Sequence, residues 1–156
     1  MIKKEGLTIS IINIILLSMI ILLVSYFFMN KKLVIGPILI LLGIISLTPI
    51  FLLKIPFQTL KGDIIFGAID NGILAIFALS GAEFFGILGA LIGSLVGNAI
   101  TDGFAGIFEG QEWQKVTKSK IKNKRTALTV ALGKLAGCLL GAGLILTIVW
   151  TILKIG

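Results

Sequence analysis

The chain has 156 residues, of which 57% are hydrophobic and 13% charged, with a mean hydropathy of +1.12 and a formal net charge of +7. A soluble domain of this length cannot bury so much apolar surface, so the composition excludes a soluble globular protein and predicts an integral membrane protein. A single cysteine and no histidine exclude a disulfide framework and a thiolate or imidazole metal cluster.

Five apolar segments are each long enough for a helix that crosses about 30 Å of hydrocarbon, which takes about 20 residues. They are residues 7–29, 33–53, 62–85, 86–108 and 126–153, and together they predict one all-α transmembrane domain spanning residues 1–156. Lys3 and Lys4 precede the first segment as they would in a signal peptide. The segment is too long for one and no small-residue cleavage site follows it, so we expect it to stay as an anchor.

The first two segments differ in composition from the rest of the chain. They are rich in Ile and Leu and predict a lipid-facing scaffold, with Gly36-Pro37, Pro49 and Pro56 interrupting the second. Glycines recur every three or four positions in the last two segments, which favours close helix packing in a glycine-rich bundle. These stripes are Gly86, Gly89, Gly93 and Gly97, then Gly133, Gly137 and Gly141. We also expect a homodimer whose interface lies at or near one stripe.

Most basic residues fall on one side of the predicted membrane. The N-terminus, the loop at 54–61 and the loop at 109–125 share that side, so the positive-inside rule predicts a multi-pass protein of the cell membrane with a cytoplasmic N-terminus. The loop at 109–125 has a basic run without interleaved aromatic residues, which favours anionic lipid over nucleic acid as its partner. The run is Lys115, Lys118, Lys120, Lys122, Lys124 and Arg125.

The third and fourth segments contain a short internal repeat. Residues 68–77 match residues 99–108 at Ala, Ile, Gly, Ile and Phe, and each copy places an aspartate just before the shared glycine. Because consecutive spans run in opposite directions, the copies would form an inverted repeat, the arrangement with which many transporters build a binding site.

Charged residues occur at similar depth in the last three segments. Counted from the cytoplasmic ends, Asp70, Asp102 and Lys134 each lie roughly 9 to 12 Å into the apolar core, where they can meet. We expect a cytoplasm-facing acidic funnel, with Lys134 as the charge partner when no ion is bound. Its rim would be Asp63 and Glu109, and its base Asp70, Asn71, Asn98 and Asp102. The alternative is a structural ion pair that fixes helix register.

Residues 63–82 resemble the first helix of the vacuolar iron transporter family, in which an aspartate precedes a glycine and a Phe-Ala-Leu stretch. Residues 86–109 resemble that family's glycine-rich second helix, which ends in a glycine and a glutamate. The resemblance implies that Asp70 and Glu109 line an ion path. Asn71 separates the aspartate from its glycine here, the Gly-Glu-Tyr stretch is absent, and the family's pathway methionines have no counterpart.

A charge in hydrocarbon costs about 2.5 to 3.5 kcal/mol on the mildest scale, so several charges in so small a protein favour work on a charged species. Carboxylate, amide and carbonyl oxygens suit hard cations such as Mg²⁺, Mn²⁺ or Ca²⁺. The sequence thus predicts a transporter or channel for a divalent metal ion, held by Asp70, Asp102 and Glu109, with no other cofactor. Without histidine or a catalytic motif we expect no enzyme. The alternative is a noncatalytic scaffold or subunit of a larger membrane complex.

Overall fold

The computed structural model describes residues 4–118 and 126–154; for residues 4–7, 9, 10, 105, 106 and 108–118 it describes the backbone alone. Helices and no strands are found in these ranges, so the predicted all-α fold is confirmed. The elements are α1 (Lys4–Phe28), α2 (Lys32–Ile45), α3 (Thr48–Leu52), a 3₁₀ turn (Phe57–Thr59), α4 (Lys61–Lys118), α5 (Ala127–Leu146) and a π-helical turn (Thr147–Ile152).

Four helical segments in the described part of the chain are long and apolar enough to cross a membrane: Ile11–Phe28, Lys32–Leu52, Lys61–Phe104 and Ala127–Ile152. The third has 44 residues. A straight helix of that length would extend for about 66 Å, roughly twice the hydrocarbon thickness of a bilayer.

Helix α4 does not run straight, because its backbone breaks at Phe85 and Gly86. Phe85 has φ −135° and ψ 16°, and Gly86 has φ 60° and ψ −142°, a left-handed conformation that favours glycine. The chain reverses there and divides α4 into a first arm (residues 61–84) and a second arm (residues 87–118). The predicted boundary between segments 62–85 and 86–108 falls at this break.

The two arms pack against each other as an antiparallel hairpin. A Cβ on Gly81 would collide with the backbone of Gly89, and a Cβ on Gly93 would collide with the carbonyl of Phe77. Residue numbers fall from 81 to 77 on the first arm while those of their contacts rise from 89 to 93 on the second arm, so the two arms are antiparallel. Glycine at these positions lets the two backbones approach closely.

Helix α5 packs on another face of the first arm and runs parallel to it. A Cβ on Gly137 would meet the carbonyl oxygen of Ile64, and one on Gly141 would meet that of Ala68. Residue numbers rise together on the two helices, so they point the same way.

Helix α2 packs antiparallel on α5, again through glycines. A Cβ on Gly43 would lie 3.0 Å from Leu140 Cγ, and one on Gly143 would lie 2.8 Å from the backbone nitrogen of Ile40. Helix α5 is therefore the central helix, with α2 and the first arm as its neighbours.

Both glycine stripes are thus occupied by packing within one chain. Gly89, Gly93 and Gly97 face the first arm from one direction, and the α5 stripe faces it from another. Close helix contacts within one chain therefore already cover most of these glycines, and the homodimer with its interface at or near a stripe stays a prediction.

Proline gives α2 and α5 a further contact. Pro37 lies inside α2 and has no backbone N–H, so it cannot donate to the Leu33 carbonyl one turn earlier. The Thr151 hydroxyl, in the π-helical turn after α5, donates to that carbonyl at 2.7 Å. A side chain of one helix thereby replaces a backbone hydrogen bond missing from the other.

The buried apolar core is small and lies where α3, the first arm and α5 begin or end. Ile50, Leu60 and Leu132 form it, and Ile14 and Leu17 of α1 pack against it. The other side chains that the structure describes in α1 are largely exposed, as are most of the large apolar side chains described in the second arm. This distribution agrees with a helix bundle whose outer surface faces lipid.

The connection before α5 is partly helical. Helix α4 continues through Lys118, so the first part of the predicted loop at 109–125 has helical backbone. Residues 119–125 and the side chains of Lys115 and Lys118 lie outside the described part of the structure. Thr126 and Thr129 then begin α5 with reciprocal hydrogen bonds between their side chains and backbone nitrogens.

Candidate functional site

A hydrogen bond between side chains connects the two arms of α4. The Thr101 hydroxyl of the second arm donates to Asp70 Oδ1 of the first arm. Thr101 is buried, with 4% of its surface exposed, and Asp70 is half-buried. A hydrogen bond from a hydroxyl to a carboxylate is charge-assisted, so it is stronger than a hydrogen bond between two neutral groups.

Helix register explains why these two side chains meet. Glycine packing fixes the antiparallel alignment, since a Cβ on Gly97 would lie 3.1 Å from Phe77 Cβ and 3.4 Å from Leu74 Cα. One turn further from the break on each arm, the same alignment brings Asp70 against Thr101. Asp70 and Thr101 also occupy equivalent positions in the two copies of the sequence repeat.

The Thr101 hydroxyl also lies close to its own helix backbone. Its oxygen is 3.0 Å from the Gly97 carbonyl oxygen and 3.0 Å from the Asn98 carbonyl oxygen. Such back-bonding is common for threonine in helices.

Asn98 and Asp102 form a second polar pair on the second arm. Asn98 Nδ2 donates to Asp102 Oδ2 at 2.9 Å across one helical turn. Asp102 is exposed and its neighbours Ile100 and Phe104 are exposed as well, so the pair lies on an otherwise apolar surface. Asp102 thus hydrogen bonds within its own arm, whereas Asp70 hydrogen bonds between arms.

Lys134 lies at the contact between α5 and the first arm. Its ammonium nitrogen is 5.7 Å from the centroid of the Phe66 ring, and a Cβ on Gly67 would lie 2.7 Å from the Lys134 carbonyl oxygen. The Cys138 sulfur would lie 3.2 Å from the same Cβ. One region of the first arm therefore holds the inter-arm carboxylate and faces the cation of α5.

The remaining predicted site residues have different surroundings. Asp63 is buried, with 4% of its surface exposed, and its Cβ would lie 2.8 Å from a Cβ on Gly133. Asn71 is half-buried, next to Asp70. The side chain of Glu109 lies outside the described residues.

Within the described side chains, no group of three or more acidic or cysteine residues is arranged to hold a metal ion. The oxygens at this contact belong instead to the Asp70 carboxylate, the Thr101 hydroxyl and the two backbone carbonyls next to that hydroxyl. These are ligand types that hard cations accept, and they are also groups that can satisfy one another by hydrogen bonding.

Thr101 is the residue of this site that is inconspicuous in the sequence. Threonine is common in apolar helices and carries no charge, so composition gives no reason to choose it. The short repeat is a sequence feature that relates Thr101 to the site, because Asp70 and Thr101 are equivalent positions in its two copies. When two such copies pack antiparallel, equivalent positions at the centre of the contact lie opposite each other.

Comparisons of the chain with protein-family models, with curated proteins and with solved structures found no match. The resemblance of residues 63–110 to the vacuolar iron transporter family therefore stays a prediction from the quoted residues.

Proposed function

We propose that this chain is a membrane protein with five crossings, in which the two arms of α4 cross separately. The first arm, at about 1.5 Å per residue, is about 36 Å long and exceeds the hydrocarbon thickness. The parallel packing of α5 on the first arm supports this count, since the third and fifth spans of a chain must run in the same direction. The lysine distribution supports a cytoplasmic N-terminus and location in the cell membrane.

We further propose that the protein transports a hard divalent cation through an intramembrane acidic site. The observation that carries this proposal is the half-buried Asp70 carboxylate, which lies between the glycine-packed arms and hydrogen bonds to the buried Thr101. A carboxylate at that depth is expensive to keep, which favours a role with a charged species. Antiparallel helices with glycine-exposed backbone recur at transporter binding sites, which supports a functional inverted repeat.

In the proposed mechanism the cation passes Glu109 and Asp63, loses part of its hydration shell and binds at Asp70. Asp70, Asp102 and Glu109 are the proposed metal ligands, and Asn71 and Asn98 supply further oxygens. Asn98 and Asp102 pair with each other on the exposed side of the second arm, so the second arm would have to rotate for them to reach the cation. Lys134 neutralises an acid in the empty state and is displaced on binding. Competition between Lys134 and the cation would let occupancy bias the bundle between two arrangements.

The test is uptake of Mg²⁺, Mn²⁺ and Ca²⁺ into proteoliposomes by the purified chain and by Asp70→Asn. The amide of Asn can still accept from Thr101, so this variant should fold, remain monodisperse and lose uptake. Glu83→Gln is the matched control, because it removes an exposed carboxylate near the hairpin break. The proposal is refuted if the unmodified chain takes up each of these ions no faster than empty vesicles do. It is also refuted if Asp70→Asn retains full uptake.

A second candidate is a noncatalytic subunit of a larger membrane complex. The exposed Asn98–Asp102 pair favours it, because a carboxylate on a lipid-facing surface is costly unless another helix covers it. We propose a second copy of the chain as that partner, giving a homodimer. Cross-linking and mass measurement in nanodiscs should give twice the chain mass, and Asp102→Leu should then shift the population toward monomer. A monomeric unmodified chain would reject the homodimer.

A further inference from the structure

The Thr101 hydroxyl has more hydrogen-bond acceptors than it has protons. Its oxygen lies within hydrogen-bond distance of Asp70 Oδ1 and of the carbonyl oxygens of Gly97 and Asn98. A hydroxyl has one proton to donate and two lone pairs with which to accept. The proton can therefore point to the carboxylate or to the helix backbone, and each choice leaves the lone pairs in a different direction.

The charge at Asp70 decides between these two orientations. An unoccupied carboxylate is the strongest of the three acceptors, so the proton points to it in the empty site. A cation bound to Asp70 occupies the same carboxylate lone pairs and repels a hydroxyl proton. The proton then turns to the Gly97 or Asn98 carbonyl, where threonine back-bonding is ordinary, and the hydroxyl oxygen faces the cation.

We infer that Thr101 is a positioning and specificity residue of the cation site, an inference that rests on the proposed transport function. In the empty site Thr101 donates to Asp70 and holds the carboxylate between the arms. In the occupied site Thr101 supplies a neutral oxygen ligand, with its proton kept by a backbone carbonyl. No proton enters or leaves the pair when the hydroxyl turns.

The first experiment removes the hydroxyl and measures Mn²⁺ binding and Mn²⁺ uptake. Thr101→Val should raise the half-saturating Mn²⁺ concentration about 10- to 100-fold, the usual effect of losing a group next to a metal, with the maximal rate much less affected. Thr101→Ser keeps the hydroxyl and should restore most of the affinity. Ser94→Ala is the matched control, since the Ser94 hydroxyl on the same arm donates only to the Leu91 carbonyl, at 2.8 Å. Tighter Mn²⁺ binding by Thr101→Val would mean that the hydroxyl only competes with the cation, which overturns the inference.

The second experiment changes the ligand chemistry instead of removing it. In a Cys138→Ser background, which removes the native thiol, Thr101→Cys should raise the affinity for Cd²⁺ relative to Mn²⁺ by about tenfold or more, because thiolate ligands favour soft ions. If Thr101 only stabilises the packing of the two arms, Thr101→Cys should leave the ratio of Cd²⁺ affinity to Mn²⁺ affinity unchanged. An unchanged ratio in a monodisperse protein overturns the inference.

The background protein separates the two proposals. If neither the unmodified chain nor Cys138→Ser binds or transports Mn²⁺, both the proposed function and this inference are wrong. Normal Mn²⁺ transport in which the Thr101 variants behave like Ser94→Ala removes this inference alone.

Discussion

Asp70 belongs to the stretch of the first arm that Lys134 of α5 contacts. The carboxylate reaches the second arm through Thr101, and the ammonium lies over the Phe66 ring near the packing contact of Gly67. Opposite charges that face the same stretch of an apolar bundle attract each other more than they would in water, since the effective dielectric constant is far below that of water. The proposed competition between Lys134 and a cation follows from this placement.

Lys134→Met should therefore tighten cation binding. Removing the competing positive charge should lower the half-saturating Mn²⁺ concentration, by about tenfold for every 1.4 kcal/mol of electrostatic competition that is lost. Lys154→Met is the matched control, because Lys154 is exposed at the far end of the chain from this contact. Isothermal titration of both variants measures the effect, and weaker binding by Lys134→Met would contradict the competition.

The sequence identifies charged members of the site more readily than neutral ones. Asp63, Asp70 and Lys134 are conspicuous because charge is rare in apolar segments. Thr101 is not, since its role depends on the register of the two arms, which glycine packing at Gly81, Gly93 and Gly97 fixes. The sequence also groups Asp102 with Asp70 by depth, but depth says nothing about the side of the helix, and Asp102 bonds to Asn98 on the exposed side.

At the level of helices, glycines that look alike in the sequence have different surroundings. A Cβ on Gly137 would collide with the Ile64 carbonyl oxygen, whereas a Cβ on Gly103 would meet nothing within 4 Å. Both glycines belong to helices in apolar segments, so hydropathy alone cannot tell them apart.

Gly137→Ala should destabilise the protein, and Gly103→Ala should be tolerated. The new methyl group at 137 forces α5 away from the first arm, at a cost of roughly 1 to 3 kcal/mol for overpacking. The open space at Gly103 accepts the same methyl group, which makes it the matched control. Thermal unfolding in detergent compares the two variants, and equal stabilities would show that the α5 contact is looser than described.

The contact between Pro37 and Thr151 predicts a non-additive pair of substitutions. Thr151→Val should leave the Leu33 carbonyl without its donor and cost about 0.5 to 2 kcal/mol. In a Pro37→Ala background the restored backbone N–H of residue 37 can donate to the Leu33 carbonyl, so Thr151→Val should lower the free energy of unfolding by less. Unfolding of the four proteins gives the coupling energy, and strict additivity would exclude the exchange of donors.

For the whole molecule, hydropathy predicts the apolar helices and the position of the break at Phe85 and Gly86, because segment length and glycine content are local properties. The neighbours of each helix are not local properties. The central place of α5, with α2 on one face and the first arm on another, comes from which glycines meet which backbones. The short break between α2 and α3 lies beside Pro49, one of the prolines that interrupt the second segment, and Pro49 is the second residue of α3.

Five crossings predict opposite labelling of two loops in intact cells. In a Cys138→Ser background, a cysteine at the exposed Gln58 should react with a membrane-impermeant maleimide only after permeabilisation. A cysteine at the exposed Glu83, near the hairpin break, should react from outside without it. If Glu83→Cys is also protected until permeabilisation, the hairpin does not cross and the five-span topology is wrong.

The two-residue break at Phe85 and Gly86 has a consequence for biogenesis. No linker separates the arms, so on the proposed five-span topology we expect them to enter the bilayer together as a helical hairpin. Their shared contact would then give Asp70 its hydrogen bond before lipid surrounds it. A charge that would hinder insertion of a lone helix can thus enter the membrane already shielded by its neighbour.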